Sequence, residues 1–167
     1  MVEGAHPLSG EVTTSRSKNG AVALLAASLL NRGTTTLEHV PKIEEVNRLI
    51  EVLCSIGVAV TREGHKVVIT PPEKLSLDTI DRAAAMKTRS ILLFIGPLLH
   101  HARAFDLPQS GGCTLGTRTV RPHLFALERL GVSIEALTEH FHITHGGLRP
   151  AEVILYESSD TATENIL

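Results

Sequence analysis

The sequence predicts an α/β domain of the α+β kind, built from repeated units that each read strand, helix, strand, helix, strand, strand. The first observation is an internal match, in which residues 53–60 (LCSIGVAV) align with residues 127–134 (LERLGVSI). The second is that the same offset places residues 67–70 (VVIT) on residues 141–144 (FHIT). Self-similarity at a fixed spacing is typical of a structural unit that is used more than once.

The first unit covers about residues 10–80 and opens with a predicted strand and a buried helix. Residues 10–14 (GEVTT) predict the strand, and Ser17 is a suitable N-cap for the helix that follows. Residues 19–31 are rich in Ala and Leu, which favours a helix, and they are apolar on nearly every face, which favours burial. Residues 34–37 then predict a short strand of β-branched residues.

An amphipathic helix and a hairpin complete this unit. Apolar residues recur at intervals of three and four over residues 43–56, which predicts a helix with one buried face. Gly57 ends that helix, and residues 58–60 and 67–70 predict the two strands of the hairpin. Because Cys54 lies in the apolar run of the helix, we expect it to be a buried, structural thiol.

A second unit covers about residues 81–150, and a third begins within about residues 151–167. Residues 88–99 (TRSILLFIGPLL) predict the second buried helix, and residues 152–155 (EVIL) predict the opening strand of the third unit. The sequence ends one turn into the next helix, and a single turn is not stable by itself. We therefore expect residues 1–167 to form one partial domain, with another part of the protein or another chain covering its open end.

The composition excludes several classes of protein. The net charge is −2 and only 3% of residues are aromatic, so neither an electrostatic nor a stacking surface for nucleic acid is expected. The most apolar stretch, residues 91–99, is too short to cross a membrane, and the first residues lack the pattern of a signal peptide. Two cysteines do not make a disulfide framework. We expect a cytoplasmic protein.

Residues 108–123 (PQSGGCTLGTRTVRPH) carry the densest group of chemically useful side chains. Glycines let the backbone approach a ligand, and successive N–H groups in such a turn bind anions. Arg118 and Arg121 suit phosphate or carboxylate, and cations of this kind lower the pKa of a thiol such as Cys113. The stretch indicates either an anion site beside a reactive cysteine or a surface turn with an inert one.

The predicted starts of the buried helices carry further candidates for an anion site. Lys18 and Asn19 begin the first helix, Arg89 begins the second, and Ser159 and Thr161 precede the third. A cation at a helix N-terminus interacts unfavourably with the helix dipole. Its presence there becomes favourable when an anion is bound between the cation and the helix N-terminus. A solvated charge near a helix cap is the alternative for any one of them, whereas repeated positions favour a shared anion site.

The histidines do not predict a metal centre. His100 and His101 diverge on a helix, and although His140 and His142 share a strand face, neither a cysteine nor a carboxylate completes a tight set. We expect no metal and no cofactor.

Over nearly its whole length the chain resembles the enolpyruvyl transferases. The resemblance rests on LSGEV, on SKNG with the pair Lys18 and Asn19, on EHVP at residues 38–41, on TRSILLFIGPLL, on SGGCTLGTR and on SDTATEN at residues 159–165. The cysteine loop is similar to that of the branch acting on UDP-N-acetylglucosamine, and the branch acting on 3-phosphoshikimate does not carry it.

The resemblance implies one domain of an inside-out α/β barrel, in which three βαβαββ units surround buried parallel helices. A second, similar domain would complete the substrate cleft, and it is absent from this chain. The implied reaction transfers the enolpyruvyl group of phosphoenolpyruvate to the 3-hydroxyl of UDP-N-acetylglucosamine and releases phosphate, at the first committed step of peptidoglycan synthesis. We expect this chain alone to be inactive. The alternative is a non-catalytic fragment or paralogue that binds a nucleotide or a partner.

The resemblance also implies residue roles. Lys18, Arg89 and Arg118 match the residues that hold the phosphate and carboxylate of phosphoenolpyruvate. Cys113 matches the general acid, which also forms an adduct with the donor and is alkylated by fosfomycin. Further substrate contacts are implied for Asn19, Thr119, Val120, Arg121, Pro122, Ser159, Asp160 and Thr161.

Two departures from the family pattern stand in the cysteine loop. Ser110 replaces a proline, which should loosen the loop, and Arg121 replaces an aspartate near the uridine. The resemblance is therefore weakest at the residues that it implies for contacting the nucleotide.

Overall fold

A computed structural model describes residues 4, 7, 9–109 and 120–167. Three of the predicted site residues, Cys113, Arg118 and Thr119, lie outside these ranges, as does Ser110. In the described part of the chain, no helix is long and apolar enough to cross a membrane.

The first half of the chain folds as helix, strand, helix and hairpin. Its elements are α1 (Lys18–Ala27, continued by a 3-10 turn at Ser28–Leu30), β1 (Thr35–Leu37), α2 (Glu44–Ser55), β2 (Ala59–Glu63) and β3 (Lys66–Thr70). The strands form an antiparallel sheet in the order β1-β3-β2. Ile69 of the central strand pairs with Thr35 on one side and with Val60 on the other.

The second half repeats this plan. Its elements are α3 (Arg82–Met86), a 3-10 helix (Arg89–Phe94) that runs into α4 (Ile95–Leu98), β4 (Ala104–Pro108), α5 (Arg121–Arg129), β5 (Val132–Ala136), β6 (His140–His145) and α6 (Asp160–Glu164). The second sheet is also antiparallel, in the order β4-β6-β5, so both sheets place the last strand in the centre. The predicted repeat is thus present in the topology.

Matching glycines mark the repeat at the level of single residues. Gly57 ends α2 with φ 93°, and Gly131, its counterpart in the internal match, ends α5 with φ 91°. This left-handed conformation strains residues that have a Cβ, which is why each helix stops at glycine before its hairpin. The mixed α/β class predicted from the sequence is confirmed.

The core lies between the two sheets and the central helices. Leu25 of α1, Leu49 of α2 and Phe94 of the 3-10 helix are fully buried. One face of each sheet packs on them, through residues such as Ile69 and Ile143. Burying side chains of this size contributes about 1.5–3 kcal/mol each, so the helix starts are held on a rigid base.

Two predicted strands do not form. Residues 10–14 and 152–155 are irregular, and their side chains reach solvent, with Val12 92% and Ile154 78% exposed. Neither segment pairs with a strand in the described ranges. A short extended segment is stable as a strand only when a neighbouring strand forms hydrogen bonds with its backbone. The β-propensity of these residues alone was therefore not sufficient to predict a strand. The expectation for Cys54 was also wrong, because its side chain is exposed.

Candidate functional site

Three capping residues, Ser17, Thr88 and Ser159, stand at equal intervals along the chain. The hydroxyl oxygens of Ser17, Thr88 and Ser159 accept the N–H groups of Gly20, Ser90 and Ala162 at 3.1, 3.1 and 3.3 Å. Each cap satisfies one free donor at the start of a helix. The same local device therefore begins α1, the 3-10 helix and α6.

The residues that follow these caps converge on one pocket of about 150 Å³. Its lining consists of Lys18, Asn19, Val22, Glu45, Arg89, Ser90, Leu93, His123 and Thr161. Asn19, Ser90 and Thr161 occupy the same place after their caps, and so repeat at the same interval as the caps themselves. The structure thus brings together four of the sequence-predicted residues, Lys18, Asn19, Arg89 and Thr161.

Lys18 forms an ion pair with Glu45, which enters the pocket from the first turn of α2. The Glu45 carboxylate also accepts hydrogen bonds from the hydroxyls of Ser90 and of Thr88, the latter at 2.8 Å. Burial by itself would raise the pKa of this carboxyl, but the hydrogen bonds from Lys18, Ser90 and Thr88 and the charge of Lys18 hold the pKa below its ordinary value. Glu45 is therefore ionised at neutral pH and fixes the ammonium at the pocket.

His123 forms the floor of the pocket and is only 3% exposed. Its Nε2 lies 3.2 Å from Thr161 Oγ1, and its Nδ1 lies 3.2 Å from Asn165 Nδ2. Burial, and next the positive charge of Arg89, lower the pKa of the imidazole to about 4. The ring is consequently neutral at physiological pH.

Asn165 ties α6 to the second buried helix. Its Nδ2 donates to the Leu92 carbonyl at 2.9 Å, and its Oδ1 accepts the Gly96 N–H at 2.9 Å. The amide thus bridges Gly96 and Leu92, at the point where the 3-10 helix passes into α4. The helix predicted as continuous over residues 88–99 is divided at this point into a 3-10 helix and α4.

The other predicted residues that the structure describes lie at the starts of α5 and α6. Ser159 is the cap of α6, and Asp160 is its first residue, exposed to solvent. Val120 caps α5, Arg121 begins it, and Pro122 is buried in its first turn. These placements are compatible with the implied substrate contacts, which stay predictions.

Sequence reasoning missed Glu45, Ser90 and His123. Ser90 could have been found by adding the interval between the caps to the position of Asn19. Glu45 stands in the acidic first turn of a helix, which the helix dipole already explains. His123 ends the motif that carried the loop prediction, yet no spacing rule marks it as the partner of α6.

Two histidines outside this pocket share one carboxylate. His142 Nδ1 lies 2.7 Å from Asp106 Oδ1, and His140 Nε2 lies 3.7 Å from Asp106 Oδ2. Within residues 9–109 and 120–167, no group of three or more His, Cys, Asp or Glu side chains has the geometry to hold a metal ion.

Comparison with known proteins places the chain in context. The family model described as EPSP synthase (3-phosphoshikimate 1-carboxyvinyltransferase) matches residues 2–167. The chain is 35% identical over 167 residues to the UDP-N-acetylglucosamine 1-carboxyvinyltransferase of Bradyrhizobium diazoefficiens, covering all of the chain and 38% of that relative. It is 35% identical over 166 residues to the protein of the same name from Treponema pallidum, covering 99% and 39%.

Solved structures show the same fold. The enolpyruvyl transferase NikO from Streptomyces tendae superimposes with a TM-score of 0.66 at 21% identity, covering 88% of this chain and 32% of that one. EPSP synthase from Acinetobacter baumannii superimposes with a TM-score of 0.69 at 20% identity, covering 95% and 37%. The chain thus spans about two fifths of the length of the curated relatives it matches, for example 38% and 40% of two of them.

Proposed function

The chain belongs to the EPSP synthase family, and from that premise we propose that it forms part of an enolpyruvyl transferase acting on phosphoenolpyruvate and UDP-N-acetylglucosamine. The observation that carries the proposal is the convergence of Lys18 and Arg89, from separate helix starts, on a pocket of about 150 Å³. Two cations and one carboxylate, that of Glu45, line the pocket among the described residues, and this excess of positive charge favours an anionic ligand.

The choice of acceptor is supported by the relatives and by the cysteine loop. The proteins of 35% identity carry the name UDP-N-acetylglucosamine 1-carboxyvinyltransferase. The motif SGGCTLGTR at residues 110–118 resembles the same branch. Phosphoshikimate, which the family description names, is the competing acceptor and is a separate arm of the test below.

The proposed chemistry is addition followed by elimination. The 3-hydroxyl of the sugar gives its proton to a general base as its oxygen forms a bond to C2 of phosphoenolpyruvate, while C3 of the donor takes a proton from an acid. The resulting tetrahedral ketal loses a proton from C3 and expels phosphate, which restores the double bond in the enolpyruvyl product. Negative charge collects on the leaving phosphate, and fixed cations stabilise it.

In this proposal each residue has a distinct task. Lys18, Arg89 and Arg118 hold the phosphate and carboxylate of the donor, and Cys113 supplies the proton for C3. Asn19 contacts the sugar nucleotide, and Thr119, Val120, Arg121 and Pro122 surround its diphosphate. Ser159, Asp160 and Thr161 form the turn that contacts a phosphate group. Glu45, which pairs with Lys18, holds the ammonium in place.

The first experiment measures binding and thiol reactivity on the 167-residue chain. We expect phosphoenolpyruvate to shift the amide NMR signals of Lys18, Arg89 and Thr161, and Lys18→Ala to weaken binding by about tenfold or more. Glu44→Ala, on the exposed side of α2, is the matched control. Fosfomycin should add to Cys113 and not to Cys54, as read by peptide mass spectrometry. If the amide signals of the pocket residues do not shift, or if the adduct forms on Cys54 alone, the assigned site is contradicted.

The second experiment measures turnover. Phosphate release from phosphoenolpyruvate is assayed with UDP-N-acetylglucosamine or with 3-phosphoshikimate, for the chain described above and for the full product of its reading frame. We expect release only with the UDP-sugar, only from the full product, and not after Cys113→Ala. Nucleotide binding without release from either protein favours the alternative, a non-catalytic paralogue. The proposal places the reaction in the cytoplasm, at the first committed step of peptidoglycan synthesis.

A further inference from the structure

The starting point is the orientation of the Asn165 side chain, which backbone groups fix. The Leu92 carbonyl can only accept a hydrogen bond, so the atom 2.9 Å from it is the Asn165 NH₂. The Gly96 N–H can only donate, so the atom 2.9 Å from it is the Asn165 carbonyl oxygen. Asn165 is 4% exposed, and rotating its amide would break both bonds at once. The NH₂ group therefore faces His123.

This orientation sets the tautomer of His123. The Asn165 NH₂ lies 3.2 Å from His123 Nδ1 and has no lone pair to offer, so Nδ1 must accept. In a neutral imidazole the single proton is then on Nε2. Burial and the charge of Arg89 keep the ring neutral, as its lowered pKa of about 4 indicates. His123 thus presents an N–H, rather than a lone pair, towards the pocket.

Thr161 receives that hydrogen bond. His123 Nε2 lies 3.2 Å from Thr161 Oγ1, so the hydroxyl oxygen accepts and its own hydrogen is directed elsewhere. Lys18 and Arg89, which line the same pocket, are cations and cannot accept it. The Glu45 carboxylate already receives Lys18, Thr88 and Ser90. Among the described residues, Thr161 Oγ1 has no hydrogen-bond partner besides His123, so its hydrogen is available to an anionic oxygen of a bound ligand.

We propose that Asn165 and His123 form a relay that fixes Thr161 as a hydrogen-bond donor to a phosphate or carboxylate oxygen in the pocket. Asn165 and His123 are positioning residues, and Thr161 is the residue that touches the ligand. The proposal rests on the proposed function for the identity of the ligand. It adds to that function the reason why the Thr161 side of the pocket binds anions.

The relay itself is tested without any ligand. Nitrogen-15 labelling of the histidines and long-range correlation to their ring protons reports which nitrogen carries the proton. We expect the Nε2–H tautomer for His123 in the unaltered chain at neutral pH. Asn165→Asp places a carboxylate beside Nδ1, and it should move the proton to Nδ1 or leave the ring doubly protonated. An Nδ1–H tautomer in the unaltered chain overturns the relay, whether or not the variant folds.

The ligand contact is tested with three probes on the same chain, namely inorganic phosphate, pyruvate as a carboxylate without phosphate, and phosphoenolpyruvate. Hydrogen bonds to charged groups are among the stronger ones, so Thr161→Val should weaken binding of the preferred probe by about tenfold or more. Thr161→Ser keeps the hydroxyl and should stay within about threefold. The tautomer of His123 is read in the same samples.

The outcomes separate this proposal from the proposed function. Equal binding by Thr161→Val, or no binding of any probe by the unaltered chain, overturns the donor role of Thr161. Binding that depends on the Thr161 hydroxyl, together with no phosphate release from the full product of the reading frame, supports the relay and rejects the enolpyruvyl transfer. Preference for phosphate or for pyruvate identifies which group of the donor lies against Thr161.

Discussion

Asn165 and Gly96 are in such close contact that the glycine admits no side chain. The Gly96 N–H donates to Asn165 Oδ1 at 2.9 Å, and a Cβ at position 96 would lie 2.5 Å from the Asn165 backbone carbonyl oxygen. The C-terminal end of α6 is therefore held against the second buried helix by the Asn165 amide and by the absence of a side chain at Gly96.

Gly96→Ala should destabilise the fold by about 2 kcal/mol, the typical cost of forcing extra volume into a packed interface. The better helix propensity of alanine offsets part of this, by about 0.5–1 kcal/mol. Urea unfolding measures the difference. Gly146→Ala is the control, because a Cβ at position 146 meets nothing within 4 Å. A variant at position 96 as stable as the unaltered chain contradicts the close contact.

Stability should decrease on mild acidification because of His123. The pKa of its ring is 6.5 in the unfolded reference and about 4 in the folded protein, so below pH 6.5 the unfolded state binds the extra proton. The stability is fully present above pH 6.5 and falls by up to about 1.4 kcal/mol per pH unit as the pH decreases towards 4.

Denaturant unfolding over this pH range measures how the free energy of unfolding changes with pH, and His123→Gln should make that change smaller. The histidine ring signal, followed by NMR in the unaltered chain, gives the pKa directly. A ring that titrates near its ordinary pKa would show that His123 is solvated.

Glu45 should account for a second loss of stability at lower pH. Its folded pKa lies below the ordinary carboxyl value, so its contribution is present above that value and is lost as the pH falls through the folded pKa. Glu45→Gln should remove this step and cost about 1–2 kcal/mol at neutral pH, since the Lys18 ion pair and the hydroxyl contacts weaken.

The matched control is Glu44→Gln, one residue away. Glu44 is exposed and pairs with Arg48 on the outer face of α2, so its replacement should change the free energy of unfolding by less than about 0.5 kcal/mol. Equal effects of the two substitutions would mean that the pocket contacts of Glu45 add nothing to an ordinary surface charge.

The thiol of Cys54 should react slowly despite its exposure. Partial burial raises its pKa, and the charge of Glu51 raises it further, against a backbone hydrogen bond from Val60 that lowers it. Because the thiolate is the nucleophile, alkylation by iodoacetamide at neutral pH should be several-fold slower than for a small free thiol. Cys113→Ala leaves Cys54 as the single cysteine for this rate measurement. A rate equal to that of the free thiol would refute the raised pKa.

The sequence was informative wherever the determinant is local. Ser17 could be identified as a helix cap because its hydroxyl bonds three residues ahead, and Gly57 marked a helix end because its conformation excludes other residues. The repeat extended both findings to the second half of the chain. The convergence of Lys18 with Arg89 followed from the same repeat, since equivalent helix starts in stacked units lie near one another.

The contacts that the sequence did not reveal join residues that are distant along the chain. Glu45 reaches Ser90 across 45 residues, and Asn165 reaches His123 across 42. No periodicity encodes such pairs. The strands predicted at residues 10–14 and 152–155 failed for the same reason, because an extended segment becomes a strand only through a neighbour that its own residues do not specify.

The equal spacing of the three capped starts has a consequence for how such a pocket diversifies. Internal duplication leaves three copies of one structural position, and here these copies hold Lys18, Arg89 and Asp160, each directly after its cap. The backbone position repeats, but the side-chain chemistry does not, because the three equivalent positions carry a primary ammonium, a guanidinium and a carboxylate. Lys18 and Arg89 line the pocket, whereas Asp160 is exposed to solvent, so divergence within the repeated frame makes the three equivalent positions chemically unequal.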